Sequence, residues 1–378
     1  MIDREFWKKR VLSTWKKVPI VWLSGVRRVG KTTLAQMLDD ALYLNCDLPS
    51  TARQLENPER FYQGISERRI VLDEVHRLDD PSGLLKIGAD AFPEVKILAT
   101  GSSTLAATEK FRDSLTGRKR SIHLLPVLYE ELEAFGVSDI RRRLLHGGLP
   151  EPLLADEKDP EFFSEWLDSF YARDVQELFR VGKRKSFLAL VELLMRASGG
   201  LAEITSLSKA AGLTRPTVSS YLDILQVTHL ITVVRPYHAG GRQEVLRQPK
   251  IYAFDTGFVT HFRGWESLRD EDCGPLWEHL VLETLQAHVD PDRIHFWRDR
   301  SKREVDFVVT GARSRAIAIE CKWNPDRFSG RALAAFRKLH PKGRNYVVSP
   351  QTGRAYTREV GDHEVTFLNL EQLVGELR

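Results

Sequence analysis

Cysteine and long apolar segments are both scarce in this 378-residue sequence. Its three cysteines, Cys46, Cys273 and Cys321, are too far apart for a metal knuckle, and their odd number argues for a reducing compartment. The apolar stretch Val18–Leu23 is too short to span a bilayer, and no signal-peptide cleavage pattern follows it. We therefore expect a cytoplasmic protein that is neither exported nor inserted in a membrane.

A strong excess of one charge is also missing, because 56 Lys and Arg stand against 52 Asp and Glu, for a net charge of +4. This small excess permits a polyanionic partner without establishing one. No internal repeat or low-complexity linker divides the chain. With 42% hydrophobic and 29% charged residues, the composition is that of a soluble globular protein, and the length predicts two or three domains.

A complete phosphate-binding pattern, GxxxxGK[ST], spans Gly25–Thr32 directly after the apolar run Pro19–Leu23. Such a loop turns its backbone N–H groups toward phosphates, while Lys31 reaches the β- and γ-phosphates and the Thr32 hydroxyl ligates Mg²⁺. The following helix, predicted over Lys31–Ala41, presents its positive end to the same anion. The residues expected to hold ATP or GTP are Gly25, Arg27, Arg28, Val29, Gly30, Lys31, Thr32 and Thr33.

A second strand, Arg69–His76, carries two acids after a buried apolar run, which is typical of a Walker B strand. There Asp73 would hold Mg²⁺ and Glu74 would polarise the attacking water, so the pair indicates hydrolysis. The next strand, Val95–Thr100, leads to small polar residues at the carboxyl edge of the sheet. Thr100 or Ser102 is a candidate sensor of the γ-phosphate, and a plain strand-to-helix turn is the alternative.

The segments GVRRVGKT, IVLDEVH and ILATGSS resemble, in order and spacing, the two Walker strands and first sensor strand of the AAA+ ATPases. The resemblance covers residues 1–150 and implies a P-loop domain with a parallel sheet, ATP and Mg²⁺ as ligands, and an oligomer such as a hexameric ring. In this family an arginine from the neighbouring subunit stabilises the transition state. Arg118 is the candidate for that role; with its basic neighbours it could instead form a solvated patch.

The middle of the chain has a helix-turn-helix pattern. A helix over Phe187–Ala197 precedes the two helical segments Ile204–Leu213 and Thr214–Leu225, with Gly212 at the turn. The strands Leu230–Val234 and Lys250–Phe254 flank a glycine-tipped hairpin, which predicts a winged helix. The residues expected to contact DNA are Arg215, Thr217, Ser219, Arg235, Arg242 and Arg247, with Lys250 as a further cation of the wing. This set favours phosphate contacts over base recognition, and interdomain packing is the alternative role.

The last third begins with a helix from Gly274 to Val289, in which Glu278 falls inside the apolar arc and Glu283 lies opposite. A carboxylate in a core-facing arc needs a compensating cation or basic partner. A hairpin formed by 294–298 and 303–309 follows, and then the strand Ala316–Lys322, whose alternation puts Glu320 and Lys322 on one face.

The set Glu278, Asp306, Glu320 and Lys322, in the order helix, strand, strand, resembles the PD-(D/E)xK nucleases. The resemblance implies that the three acids hold one or two Mg²⁺ ions and that Lys322 orients or activates water. Val305 departs from the family, which usually has Pro before the Asp. A surviving fold that binds DNA without cutting is the alternative.

The phrases GGLPE, KIYAFDTG and GPLWEHLVLETL extend the resemblance to a group of two-part prokaryotic ATPases and to nearly the whole chain. The expected fold is α/β, with a P-loop AAA+ domain with a parallel sheet (1–150), a helical linker (151–185), a winged helix-turn-helix domain (186–260) and a PD-(D/E)xK nuclease-like domain (261–378).

The resulting functional hypothesis is an oligomeric, ATP-hydrolysing motor that translocates on, unwinds or remodels branched or forked DNA. The alternatives are an ATP-gated DNA-binding regulator or scaffold, and an ATP-controlled, metal-dependent endonuclease. Two further features are less specific. The basic runs 141–143 and 183–185 suit a DNA path or solvated helix faces, and the aromatic run 162–171 is expected in the core rather than as a stacking platform.

Overall fold

The computed structural model describes residues 2–101, 115–176, 179, 181–238, 248–311 and 316–377, which form an α/β structure built on two sheets. The helices are α1 (Glu5–Trp15), α2 (Lys31–Gln36), α3 (Pro49–Leu55), α4 (Pro58–Gly64), α5 (Pro81–Ala91), α6 (Ile140–His146), α7 (Pro150–Leu154), α8 (Pro160–Phe170), α9 (Arg184–Arg196), α10 (Ile204–Ala211), α11 (Arg215–Val227), α12 (Thr256–Phe262), α13 (Asp270–His288), α14 (Arg331–Leu339) and α15 (Leu370–Leu377).

The strands are β1 (Ile20–Ser24), β2 (Leu42–Asn45), β3 (Arg69–Asp73), β4 (Lys96–Thr100), β5 (Lys119–His123), β6 (Gly200–Leu201), β7 (Ile231–Pro236), β8 (Lys250–Ala253), β9 (Ile294–Arg298), β10 (Glu304–Thr310), β11 (Ala316–Cys321), β12 (Asn345–Val348), β13 (Tyr356–Val360) and β14 (His363–Leu368). Within the described residues, no helix combines the length and the apolar character needed to cross a bilayer.

The first sheet has five parallel strands in the order β2-β3-β4-β1-β5. Its inner strands are apolar on both faces, as expected of a parallel sheet covered on each side by helices. Along β1, Val21 and Leu23 point into one hydrophobic cluster, and Ile20 and Trp22 into another. The strands all end at the same edge, so the phosphate loop after β1 and the acids at the end of β3 lie at that edge.

Helix α2 is shorter than the predicted Lys31–Ala41 and ends at Gln36. The chain turns at Asp40, whose backbone is left-handed (φ 57°), and then extends as β2. Leu34 and Leu38 are both buried, so the apolar spacing that predicted a longer helix also fits a short helix followed by a turn. Strand β2 begins at Leu42, directly after the predicted helix, and pairs with β3.

The predicted helix pair of the middle region is confirmed as α10 and α11. Gly212 takes a left-handed conformation (φ 65°) between them, and the Thr214 hydroxyl caps α11 by accepting a hydrogen bond from the Thr217 N–H at 3.3 Å. Val218 and Tyr221 of α11 pack toward α9, where Phe187 meets the Tyr221 ring edge-on at 5.1 Å. Strands β7, β8 and β6 form an antiparallel sheet beside these helices.

The middle sheet and the C-terminal sheet are one sheet of nine strands, in the order β13-β14-β12-β11-β10-β9-β7-β8-β6. They join where Arg235 and Pro236 of β7 run parallel to β9, and the Tyr237 N–H donates to the Phe296 carbonyl at 2.7 Å. The predicted hairpin of β9 and β10 and the strand β11 beside it are confirmed. The sequence predicted separate domains and gave no sign of this parallel junction.

Candidate functional site

The phosphate loop depends on glycine at two positions. Gly30 has φ 99° and opens α2, while a Cβ atom at Gly25 would lie 2.7 Å from the Leu124 carbonyl oxygen. The Lys31 ammonium donates to the Gly25 and Val26 carbonyls at 2.9 and 3.1 Å. Burial lowers the pKa of Lys31, and Glu74 opposes that shift. The loop therefore has the backbone shape and the cation that its sequence predicts.

The two predicted Mg²⁺ ligands of this site lie together. The Thr32 hydroxyl donates to Asp73 Oδ2 at 2.9 Å, and Asp73 is only 3% exposed. Tyr43 donates to the same oxygen at 2.7 Å, and the Thr100 hydroxyl donates to Asp73 Oδ1. Hydroxyl and carboxylate oxygens are the ligands that Mg²⁺ prefers, so the residues fit the ion. The Thr100 hydroxyl is thus hydrogen-bonded to Asp73 at the end of the Walker B strand. The alternative sensor, Ser102, lies outside the described residues.

Glu74 occupies a backbone conformation that is uncommon for a non-glycine residue (φ 56°). Its N–H donates to the Thr100 hydroxyl at 3.0 Å, and its carboxylate lies 3.2 Å from His76 Nδ1. Strained residues of this kind cluster at functional sites, where the surrounding structure holds them in place. The geometry aims the second acid away from the strand and toward the cavity beside the loop, which Glu74 lines.

This cavity has a volume of about 400 Å³ and includes residues that no motif indicated. Trp166, Arg173 and Asp174, from α8 and the π-helix Tyr171–Gln176, form its far wall. The Trp166 indole N–H donates to the Arg27 carbonyl at 3.1 Å, and Asp174 forms an ion pair with the Arg27 guanidinium. The aromatic run of α8 is buried, as predicted, but one of its members also closes the nucleotide site.

Arg118 lies at the opposite edge of the sheet from the phosphate loop. The Arg118 carbonyl accepts a hydrogen bond from the N–H of Ile20, the first residue of β1. The phosphate loop begins after the other end of β1, which at 3.3 Å per residue places the start of the loop about 16 Å from Ile20. The Arg118 guanidinium pairs with Asp90, with Nη2 3.0 Å from Oδ2. Arg118 therefore cannot reach the nucleotide site of its own chain, and its predicted action on a neighbouring subunit stays a prediction.

The predicted DNA contacts are only partly on the surface. Arg215, Ser219 and Arg235 are exposed, whereas the Thr217 hydroxyl is engaged with Thr214 at 2.8 Å. Arg242 and Arg247 lie outside the described residues. The assignment of Lys250 to the wing is wrong, because this residue is 3% exposed and its ammonium lies 2.9 Å from Glu278 and 2.5 Å from Glu304. It faces the interior because β8 is buried along its whole length.

The four residues of the nuclease-like pattern come together as a cluster of acids and lysines. The Lys322 ammonium lies 2.8 Å from Glu320 and 3.2 Å from Asp306, and the Cys321 N–H donates to Asp306 at 2.7 Å. Burial raises the pKa of Glu320 to about 8 and also raises the pKa of Glu278. Among the described residues, Glu320 Oε1 has no hydrogen-bond partner, and no group of three His, Cys, Asp or Glu converges on a metal position.

The pKa of Glu320 gives a pH prediction. Because the folded state holds the Glu320 proton up to about pH 8 and the unfolded state releases it near the ordinary 4.5, the folded state binds more protons in this window. The free energy of unfolding should therefore fall as the pH rises through it, by at most about 1.4 kcal/mol per pH unit. Glu320→Gln should flatten this dependence, which urea denaturation from about pH 5 to about pH 8 would measure. Equal slopes for the two proteins would contradict it.

One further prediction about charged side chains is wrong, and a second charged residue is buried without a signal in the sequence. Glu283, opposite the apolar arc of its helix, is 2% exposed, because α13 packs against β11 on one side and α6 on another. The basic run 141–143 is not a solvated face either. Arg143 is fully buried, pairs with Glu283, and donates to the Val127 carbonyl and the Thr256 hydroxyl at 2.8 and 3.0 Å. No periodic pattern signals this pair, because its members are 140 residues apart.

Three family models match the chain. An AAA domain model matches residues 17–133, and two models described as domains of unknown function match residues 137–269 and 273–372. The first segment contains the phosphate loop and the Walker B acids, which supports a P-loop ATPase of the AAA type. The descriptions of the other two models assign no function to the segments that they match.

Two curated relatives and one solved structure are similar to much of the chain. An uncharacterized protein of Mycobacterium tuberculosis is 26% identical over 319 residues, which cover 82% of this chain and 71% of that protein. An uncharacterized protein of Haemophilus influenzae is 23% identical over 349 residues, covering 82% and 84%. The structure of a Walker-type ATPase of Pyrococcus abyssi is 16% identical and covers 70% of this chain and 96% of that one, with a TM-score of 0.45.

Proposed function

We propose that this chain is an ATP-hydrolysing motor that binds DNA and translocates on, unwinds or remodels it. The observation that carries the proposal is the composition of the nucleotide cavity, which is lined by the phosphate loop and also by Thr228, the residue that directly follows α11. The residue after the second helix of the helix-turn-helix thus lines the same cavity as the phosphate loop. Such contact is what conversion of hydrolysis into movement requires.

The hydrolytic half of the proposal assigns each residue one task. Lys31 binds the β- and γ-phosphates, the loop N–H groups cradle them, and Glu74 orients and polarises the attacking water. Thr32 and Asp73 would hold Mg²⁺, which neutralises phosphate charge when it is bound. Because Asp73 already accepts hydrogen bonds from Tyr43 and Thr100, its carboxylate is fixed in position before any ligand arrives.

A pair of histidines supports the proposed coupling between ATP hydrolysis and the helix-turn-helix. His229, next to Thr228, lies against His123 of β5 with ring centroids 3.9 Å apart and ring planes tilted by 32°. His123 Nδ1 lies 3.4 Å from the Ser24 hydroxyl at the end of β1. Burial lowers the pKa of His229 to about 4, so this contact is neutral at physiological pH. The residue pair after α11 therefore contacts β5, whose His123 in turn lies beside Ser24, the residue before the phosphate loop.

DNA binding is assigned to the middle region, where the order helix, strand, helix, helix, strand, strand is that of a winged helix. Arg215 and Ser219 on α11, and Arg235 on β7, are exposed there. With so few base-reading side chains, phosphate contacts supply the affinity, which suits a protein that moves along DNA. The nuclease alternative requires Glu278, Asp306 and Glu320 to hold a divalent cation, which would supply Lewis-acid chemistry for phosphodiester hydrolysis.

Two measurements test the motor. ATP turnover should rise severalfold with forked DNA, and strand displacement should require ATP. If the protein binds DNA and hydrolyses ATP without strand displacement, the regulator is the correct function. The ion pairs of Lys250 with Glu278 and of Lys322 with Asp306 favour that alternative over cleavage. If Mg²⁺ or Mn²⁺ gives cleavage that Asp306→Ala abolishes, the nuclease is correct. Turnover that ignores DNA, together with no DNA binding, would overturn all three.

Phosphate contacts predict a specific salt dependence. Arg215→Ala and Arg235→Ala should each weaken DNA binding and reduce the slope of log K against log salt by about 0.9 for duplex DNA. Arg68→Ala, an exposed arginine of the ATPase domain, is the control and should leave the slope unchanged. Fluorescence anisotropy at several salt concentrations measures the slope. An unchanged slope in both variants would remove these residues from the DNA interface.

We also propose that the chain self-associates into a ring in which Arg118 acts on the neighbouring nucleotide site. The supporting observation is that Arg118 is partly exposed at the edge of its own sheet that lies away from the phosphate loop. Light scattering with ATP and Glu74→Gln, which slows hydrolysis, should give an oligomer such as a hexamer. A monomer under all nucleotide conditions would rule the ring out.

A further inference from the structure

Asp174 brings a carboxylate into the nucleotide cavity from a part of the chain that lies outside the two Walker segments. It belongs to the π-helix Tyr171–Gln176, which directly continues α8, and it lines the same cavity as the phosphate loop. There it forms an ion pair with Arg27, the third residue of the GxxxxGK[ST] pattern. Single turns of π-helix are frequent at functional sites. Neither phosphate binding nor water activation requires this acid.

The carboxylate of Asp174 lies on the side of the cavity that would receive the γ-phosphate. Burial lowers the pKa of Lys31, and the carboxylates of Glu74 and Asp174 oppose this shift most strongly. Because Lys31 is the residue that reaches the β- and γ-phosphates, an acid that acts on its ammonium is also close to those phosphates. ATP therefore brings more negative charge toward Asp174 than ADP does.

The γ-phosphate and Asp174 would compete for the Arg27 guanidinium. A guanidinium binds carboxylate and phosphate oxygens with the same fork of N–H donors. Two anions at that position repel each other, so one must leave when the other binds. The side chains of Arg27 and Asp174 are 30% and 19% exposed, so their ion pair can open toward water at a modest cost.

We propose that Asp174 is a specificity residue of the nucleotide site, which weakens binding of ATP relative to ADP until the γ-phosphate displaces it from Arg27. This rests on the proposed nucleotide site and does not depend on movement along DNA. The π-helix that carries Asp174 also packs toward the helix-turn-helix. The Tyr171 ring lies 5.7 Å from the ring of Phe187 on α9, and Phe187 in turn meets Tyr221 of α11.

The test is a calorimetric titration of the full-length chain with MgADP and with MgATP. All proteins carry Glu74→Gln, which slows hydrolysis so that ATP persists during the titration. Asp174→Asn should lower the ratio of the ATP to the ADP dissociation constant by about tenfold or more, because it removes a like charge beside the γ-phosphate. Asp174→Glu keeps the charge and should retain most of the parent's discrimination. Asp168→Asn, at an exposed ion pair of α8, should leave both constants unchanged.

A second pair of variants protects the test against a folding defect in Asp174→Asn, which thermal unfolding would reveal. Arg27→Met with Asp174→Asn removes both members of the ion pair, and its ratio should be lower than that of Arg27→Met alone. If Asp174→Asn changes the ADP and ATP constants equally, or changes neither, Asp174 does not select between the nucleotides and the proposal is overturned.

Failure of this proposal is distinguishable from failure of the proposed function. If no folded protein binds either nucleotide, the phosphate loop is not a nucleotide site, and the ATPase and the role of Asp174 fail together. If Asp174→Asn shifts the ratio as expected in a chain whose ATP turnover ignores DNA, the role of Asp174 is supported and the motor is contradicted.

Discussion

Lys31→Ala is expected to lower ATP turnover by about two to three orders of magnitude, the usual effect of losing one group that stabilises transition-state charge. Lys31 is the only cation of the GxxxxGK[ST] pattern placed to reach the β- and γ-phosphates. Of the other two cations of the pattern, Arg27 is paired with Asp174, and Arg28 lies beside Glu151 at 3.4 Å. DNA-stimulated turnover and strand displacement should be lost together.

The control for this variant is Lys17→Ala, which removes an exposed lysine shortly before β1. A coupled assay of phosphate release measures turnover, and thermal unfolding checks that both variants keep the fold. Lys31→Ala should unfold within about 0.5 kcal/mol of the parent, because its ammonium bonds only loop carbonyls and its loss strands no charge. Turnover within twofold of the parent would exclude the phosphate loop as the site of hydrolysis.

The phosphate loop, Asp73 and Glu74 were predictable because each depends on local sequence. Glycines at fixed offsets specify the loop, and an apolar run followed by acids specifies the end of a buried parallel strand. The helices α10 and α11 were predictable for the same reason, since capping by Thr214 and the turn at Gly212 act within a few residues. Their helical form required no knowledge of the rest of the chain.

The walls of the nucleotide cavity were not predictable. Trp166, Asp174 and Thr228 reach it through packing of segments more than 100 residues away in sequence, and nothing in their own neighbourhoods distinguishes them from core or surface residues. Lys250 shows the same limit. Lys250 follows a glycine-rich segment, and that position indicated a wing. Which side of a strand faces solvent depends on the sheet that the strand joins. Here β8 pairs with β7, and β7 continues the sheet into β9, so β8 is buried.

The buried pair of Arg143 and Glu283 leads to the largest expected loss of stability. Above about pH 8, Arg143→Met should reduce the free energy of unfolding by about 3–5 kcal/mol, because it leaves a charged carboxylate buried without its partner. It also removes the donors to the Val127 carbonyl and the Thr256 hydroxyl. His279, 3.6 Å from Glu283, cannot replace the guanidinium, since burial lowers its pKa to about 3 and keeps it neutral.

The pH dependence of Arg143→Met separates loss of charge pairing from loss of packing. Burial raises the pKa of Glu283 to about 8 even though Arg143 opposes the shift, so without Arg143 the pKa is higher still. Below about pH 8 the stranded carboxyl is therefore protonated, and its cost is small. The variant should therefore lose more stability above about pH 8 than below about pH 6. Arg143→Met with Glu283→Gln should lose less than the single variant and show no such trend. Arg184→Met, at an exposed ion pair, should cost about 1 kcal/mol or less. A pH-independent loss in Arg143→Met would mean that packing, and not the stranded charge, dominates.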